Sequence, residues 1–183
     1  MNTERAEIKG AAEQPKTIGK ESCRLGDAIA ERLETNSTAY VSSSGFSRSA
    51  FEHLTDELEC VKKHPVTSAD IAYDLFRRAL PPNTRQEIFF VLPLDVKDCP
   101  LSLPIPATKG VVDQAPVHAR EILKHAISLG AKSIIVAHNH PTGDPTPSEE
   151  DVAVTAQLKS AAEIVSIPLK AHLVLGKERY HVL

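Results

Sequence analysis

His138-Asn-His-Pro-Thr-Gly-Asp-Pro-Thr-Pro-Ser-Glu-Glu-Asp151 stands between two segments of opposite periodicity, and its reading decides the fold. Ahead of it, residues 132–137 (KSIIVA) are short, apolar on both faces and rich in β-formers, the pattern of a buried strand. Behind it, residues 148–165 carry Val154, Leu158, Ala161 and Val165 at spacings of four, three and four, the stripe of an amphipathic helix. Pro141, Pro145 and Pro147 stiffen the loop between them. His138 and His140, two apart on an extended chain, point to the same side, and Ser148 and Asp151, three apart on a helix, share a face. That face runs on into Val154 and Leu158, so Asp151 is expected to aim inward.

Outward from this unit the pattern is an alternation of strands and helices. Residues 87–92 (EIFFVL) are apolar on both faces and predict a central strand. The proline-bearing residues 95–106 suit a turn and edge segment, with a further strand over 108–112. Pro116 fits a first helical position, and Ile122, Leu123, Ala126 and Ile127 give that helix an apolar face until Gly130. Residues 169–175 and 180–183 predict a closing hairpin around Gly176, and Thr67 or Ser68 caps an earlier helix that Pro81-Pro82 stops. The expectation is one α/β domain over residues 66–183. Before it, residues 1–20 read as a flexible tail. Residues 21–65 read as a small helical appendage, with helices over 25–34 and 50–63 and a Ser- and Thr-rich loop over 36–49.

Composition narrows the function classes. With 42% hydrophobic and 25% charged residues, neither a disordered nor a collagenous chain is expected. No apolar run reaches the eighteen or so residues of a membrane span, and residues 1–20 hold no apolar signal core, so a cytoplasmic protein with no membrane partner is expected. Cys23, Cys60 and Cys99 are odd in number and form no CxxC pair, which fits reduced thiols. Basic and acidic residues number nine against eleven in residues 1–65 and twelve against thirteen beyond, so charge does not support DNA association.

Two imidazoles and a carboxylate converging across a loop suit a catalytic Zn2+, with the fourth position left for water. A proton acceptor and a donor for the developing oxyanion are then wanted. Glu87, at the entrance of the central strand, is the candidate acid/base, and Ser148 the candidate oxyanion donor. Taken singly, each has a plainer explanation. Ser148-Glu-Glu-Asp151 is also a capping sequence, a lone HxH is usually a strand end, and a glutamate at a strand entrance is usually solvated. The spacing of HxH, seven residues and SxxD is what joins them. His118, Arg120 and Glu121 read as a helix-start salt bridge or sheet contact, His53, His64 and His125 as surface residues, and Cys99 as a bystander thiol.

This arrangement resembles the JAMM or MPN+ metalloprotease motif, an upstream Glu followed by H-x-H, seven residues and S-x-x-D. Gln86-Glu-Ile-Phe-Phe90, residues 110–121 (GVVDQAPVHARE), residues 137–151 and the final hairpin are similar to the bacterial RadC family over residues 66–183. The resemblance implies the MPN (JAB) fold, a curved mixed β-sheet with flanking helices. It also implies His138, His140 and Asp151 as zinc ligands, Glu87 as acid/base and Ser148 as oxyanion donor. The chain departs from the family at Ala171, where an Asp precedes the strand histidine and a carboxylate near the site is lost. Milder departures are Ala119 for a proline and Thr142 for a serine, and no helix-hairpin-helix is recognisable before Pro65.

The sequence thus predicts a zinc-dependent metallohydrolase of the JAMM type acting on a peptide or protein substrate. The alternative is a DNA-repair-associated or protein-interaction module with little hydrolase activity. A non-haem iron oxygenase shares the two-His, one-carboxylate set but usually draws it from barrel strands. The charge balance generates a first prediction: at about 150 mM salt, titration with labelled duplex DNA should give no sub-micromolar, sequence-selective binding. Such binding would instead establish the DNA-module alternative.

Overall fold

The two apolar runs flanking the site are the middle of the sheet, because residues buried on both faces need covering layers on both sides. The computed structural model describes residues 16–17, 59, 61–82, 84–109 and 118–183. Its elements in chain order are β1 (Lys16–Thr17), α1 (Ala69–Ala79), β2 (Ile88–Leu94), β3 (Ile105–Lys109), α2 (Ala119–Ser128), β4 (Ser133–Asn139), α3 (Glu149–Ile164), β5 (Leu169–Leu175) and β6 (Arg179–Val182). The strands form one sheet in the order β1-β6-β5-β4-β2-β3. Neighbours are antiparallel except β4 and β5, which run parallel and are joined by the crossover helix α3. Every residue of β2 and of β4 is buried.

Strand alternation sorts the side chains into two cores. On one face Phe90, Leu92, Ile135, Ala137, Leu173 and Leu175 pack with Ile71, Leu75 and Phe76 of α1. On the other, Phe89, Val91, Ile134 and Val136 pack with Ile122, Leu123 and Ala126 of α2 and with Leu158 and Ala162 of α3. Helix α1 starts at Ser68, whose hydroxyl accepts from the Ile71 N–H at 3.3 Å. It is tied to β6 by the Tyr180 hydroxyl, which donates to Asp70 Oδ1 at 2.6 Å.

The sequence expectations differ from the structure in instructive places. The strand expected over 108–112 begins at Ile105 and takes in Pro106. That is tolerated because β3 is the sheet edge and Ala107 is an extra residue where its register against β2 shifts between Phe89 and Phe90. Ile127 is exposed, because the buried stripe of the ten-residue α2 is 122, 123 and 126. Val165 follows the end of α3 and is exposed, and the buried line of α3 is 158 and 162 with Val154 half-buried before them. The tail over 1–20, apart from Lys16 and Thr17, lies outside the described residues. So do the helix over 25–34, the loop over 36–49, most of the helix over 50–63, residues 110–112 and Pro116.

The same helix supplies a contrast that tests this packing. Leu158 is 1% exposed and Ile164 is 84% exposed. Leu158→Ala should lose about 2–5 kcal/mol of unfolding free energy in a urea titration. Ile164→Ala should stay within about 0.5 kcal/mol of the parent.

Candidate metal centre

Strand β4 carries His138 as its penultimate residue, and the pleat turns its ring into the face covered by α2 and α3. The ring is fully buried and lies nearly parallel to Phe89, its partner across the sheet, with centroids 5.8 Å apart and planes 7° apart. His140 follows one residue beyond the strand. Its Nδ1 stands 2.7 Å from the Asp144 carbonyl oxygen, which only accepts, so the imidazole donates there and turns Nε2 inward. Asp151 comes from the first turn of α3 and aims inward as the helix face requires. Its Oδ1 is 3.1 Å from His138 Nε2, and its Oδ2 is 3.4 Å from His140 Nε2.

The two Nε2 atoms are themselves 3.1 Å apart. Among the described residues, His138, His140 and Asp151 thus form a group that could hold a metal ion, with one ligand atom from each lying within 4.8 Å of the others. The donor chemistry fits: with a His140 hydrogen committed at Nδ1 to the Asp144 carbonyl, imidazole Nε2 atoms and a carboxylate, all ordinary ligands of a divalent metal, meet at a common point. His140 and Asp151 are partly exposed and His138 is not, so the group is open to solvent on one side. Burial pushes the Asp151 carboxyl up, but the His138 ring and the N–H and O–H of Ser148 outweigh it and hold the group below the usual carboxylate range.

Ser148 is the N-cap of α3. Its hydroxyl accepts from the Asp151 N–H at 3.1 Å and donates to Asp151 Oδ2 at 2.8 Å, while its own N–H donates to the same oxygen at 2.7 Å. The capping box read as the plainer explanation is therefore present, and it fixes the Asp151 carboxylate. Glu87 is exposed one residue before β2. It lies two residues from Phe89, which alternation places on the His138 side of the sheet.

Three residues of the site were missed or underread. Asn139, the middle residue of HNH, is buried on the opposite side of β4, where its Oδ1 accepts from the Ile88 N–H at 2.9 Å and its Nδ2 donates to the Gln86 carbonyl at 3.0 Å. It grips the two residues flanking Glu87. His172, in β5, is buried with Nε2 2.8 Å from His138 Nδ1, and Thr155 Oγ1 lies 2.6 Å from His172 Nδ1. Burial first, and His138 second, bring the His172 imidazole down to about 3, which keeps it neutral. The signals were a buried polar residue inside HxH, a threonine one helical turn after Asp151, and a lone histidine in an apolar strand. Ala171, read as a lost carboxylate near the site, instead packs in the core on the other face of the sheet. Glu121 pairs with Lys124 at 2.6 Å and Arg120 at 3.3 Å, the expected helix-start contacts. Cys99 is buried, and burial pushes its thiol up, as fits a bystander.

A mixed α/β domain with two histidines at a strand end and a carboxylate at the following helix start defines a candidate metal-binding protein. Residues 66–183 match the family model described as the RadC-like JAB domain, and the chain belongs to that family. Among curated relatives, the UPF0758 protein of Pelobacter propionicus is 40% identical over 114 residues, 62% of this chain and 49% of the relative. That of Rhodobacter capsulatus is 47% identical over 93 residues, 51% of this chain and 43% of the relative. That of Clostridium perfringens is 41% identical over 96 residues, 52% of this chain and 42% of the relative. The chain thus spans less than half the length of each. Among the described residues no helix is long and apolar enough to cross a membrane.

The grip of Asn139 can be measured directly. Asn139→Leu should leave the buried Ile88 N–H unpaired and cost about 1–3 kcal/mol of stability. Hydrogen exchange at the Ile88 amide should accelerate more than at the mid-sheet Val136 amide.

Proposed function

We propose that the chain is a zinc-dependent metallohydrolase of the JAMM type, cleaving a peptide or isopeptide bond in a peptide or protein substrate. One observation carries the reading: His138 Nε2, His140 Nε2 and the Asp151 carboxylate converge at a solvent-open point. His138, His140 and Asp151 would hold the ion. When bound, Zn2+ supplies Lewis acidity, lowering the pKa of a water and polarising the scissile carbonyl. That Asp151 arrives on helix α3 separates this set from the strand-borne triad of iron oxygenases.

Glu87 is the proposed acid/base. It is exposed one residue before β2 and two from Phe89, the cross-strand partner of His138, and a carboxylate there would take a proton from the attacking water and deliver it to the leaving amine. Asn139 keeps the backbone on both sides of Glu87 fixed, which limits the reorganisation that proton transfer requires. Ser148 is the proposed oxyanion donor. Its O–H, which donates to Asp151 Oδ2, would turn to the substrate oxygen, leaving the Ser148 N–H to hold that carboxylate oxygen.

Mass spectrometry of the native chain should find about one zinc per molecule, and His138→Ala and His140→Ala should each abolish stoichiometric loading. Glu87→Gln should keep the zinc and lower hydrolysis of a peptide or isopeptide substrate by about two orders of magnitude. Unchanged zinc in both histidine variants would refute the site, and unchanged turnover in Glu87→Gln would refute the mechanism.

A further inference from the structure

We infer that Thr155 and His172 are positioning residues that hold His138 in the tautomer whose Nε2 is free to ligate, an inference that rests on the proposed metal function. The argument is a count of hydrogens. Thr155 Oγ1 lies 2.6 Å from the Asp151 carbonyl oxygen, and a carbonyl has no hydrogen, so the single hydroxyl hydrogen of Thr155 is committed there. Oγ1 then has only lone pairs for its 2.6 Å contact with His172 Nδ1, which must carry the hydrogen. A neutral His172 protonated at Nδ1 has a bare Nε2. The 2.8 Å contact from that Nε2 to His138 Nδ1 therefore needs its hydrogen from His138. With a hydrogen held at Nδ1, the His138 ring has Nε2, the atom that faces His140 and Asp151, as the one nitrogen available to a cation.

The direction of the chain is thus set at its far end by one threonine hydroxyl. Run in reverse, Thr155 would donate to His172 and release the Asp151 carbonyl. His172 would donate to His138, whose only hydrogen would then sit on Nε2 and block ligation. The chain also starts and ends on ligand residues. It begins at the Asp151 backbone and ends at the His138 ring, crossing from α3 through β5 to β4, so it couples the helix-borne and strand-borne ligands without touching the reacting atoms.

Two-bond proton–nitrogen NMR correlations on the metal-free chain should show His172 as the neutral Nδ1–H tautomer. Competition with a chromophoric chelator should show zinc binding weakened about 10- to 100-fold in Thr155→Val, which keeps the shape and removes the hydroxyl. Thr155→Ser, which restores the donor, should bind as the parent does. Finding His172 as Nε2–H in the parent overturns the inference, as does parent-like zinc affinity in Thr155→Val. A lowered melting temperature with tautomer and affinity unchanged would mark a purely structural threonine and overturn it equally. Should the parent take up no zinc, the metal reading fails, and the His172 tautomer by itself decides whether the relay exists.

Discussion

Lone pairs brought together without hydrogens between them repel, and the junction of β4 and α3 is built around that unfavourable arrangement. His140 spends its Nδ1 hydrogen on a loop carbonyl, and Ser148 directs both its donors at one oxygen of Asp151. What remains facing inward is acceptor-rich and can be relieved by a cation. The surrounding fold supplies the restraint that such a cluster needs. A fully buried histidine stacked on Phe89, a capping box and a proline-stiffened loop leave these side chains little freedom to swing apart.

The loop is held from outside as well as within. Gly143 accepts at its carbonyl from the Lys177 N–H at 3.0 Å and takes a positive φ of 83°, which glycine adopts without strain. Gly176 faces it so closely that an added Cβ would come within 2.7 Å of the Gly143 oxygen and 2.8 Å of Pro145 Cδ. The loop between His140 and Ser148 is therefore docked against the β5–β6 turn.

Much of this was legible because the sheet is buried on both faces. Continuous apolar runs such as 88–92 and 134–137 have few other uses in a chain of this size, and the HxH-to-SxxD spacing bridges a strand end and a helix start in one step. What escaped was information carried by partners distant in sequence. Asn139 looks like a spacer between two histidines until β2 is laid beside it, since its partners are 51 and 53 residues away. His172 acquires meaning only when β5 lies parallel to β4, 34 residues on. Ala171 was misjudged for the converse reason. Adjacent to His172 in sequence, it faces the opposite core, and only alternation along a placed strand reveals this. The early start of β3 was hidden by Pro106, which an interior strand would exclude but a bulged edge accommodates.

The parallel pairing of β4 with β5 bears on when the site comes into being. Antiparallel neighbours can close through a tight turn, whereas a parallel pair waits for the whole crossover, and closing such a segment costs loop entropy before any contact repays it. The two histidines and the aspartate are local and could approach early, yet the ring that orients His138 belongs to the last strand but one. An incompletely folded or truncated chain would carry the ligand motif without the means to present it. On this topology the surroundings of His138 are complete only once the β5–β6 hairpin has docked beside β4.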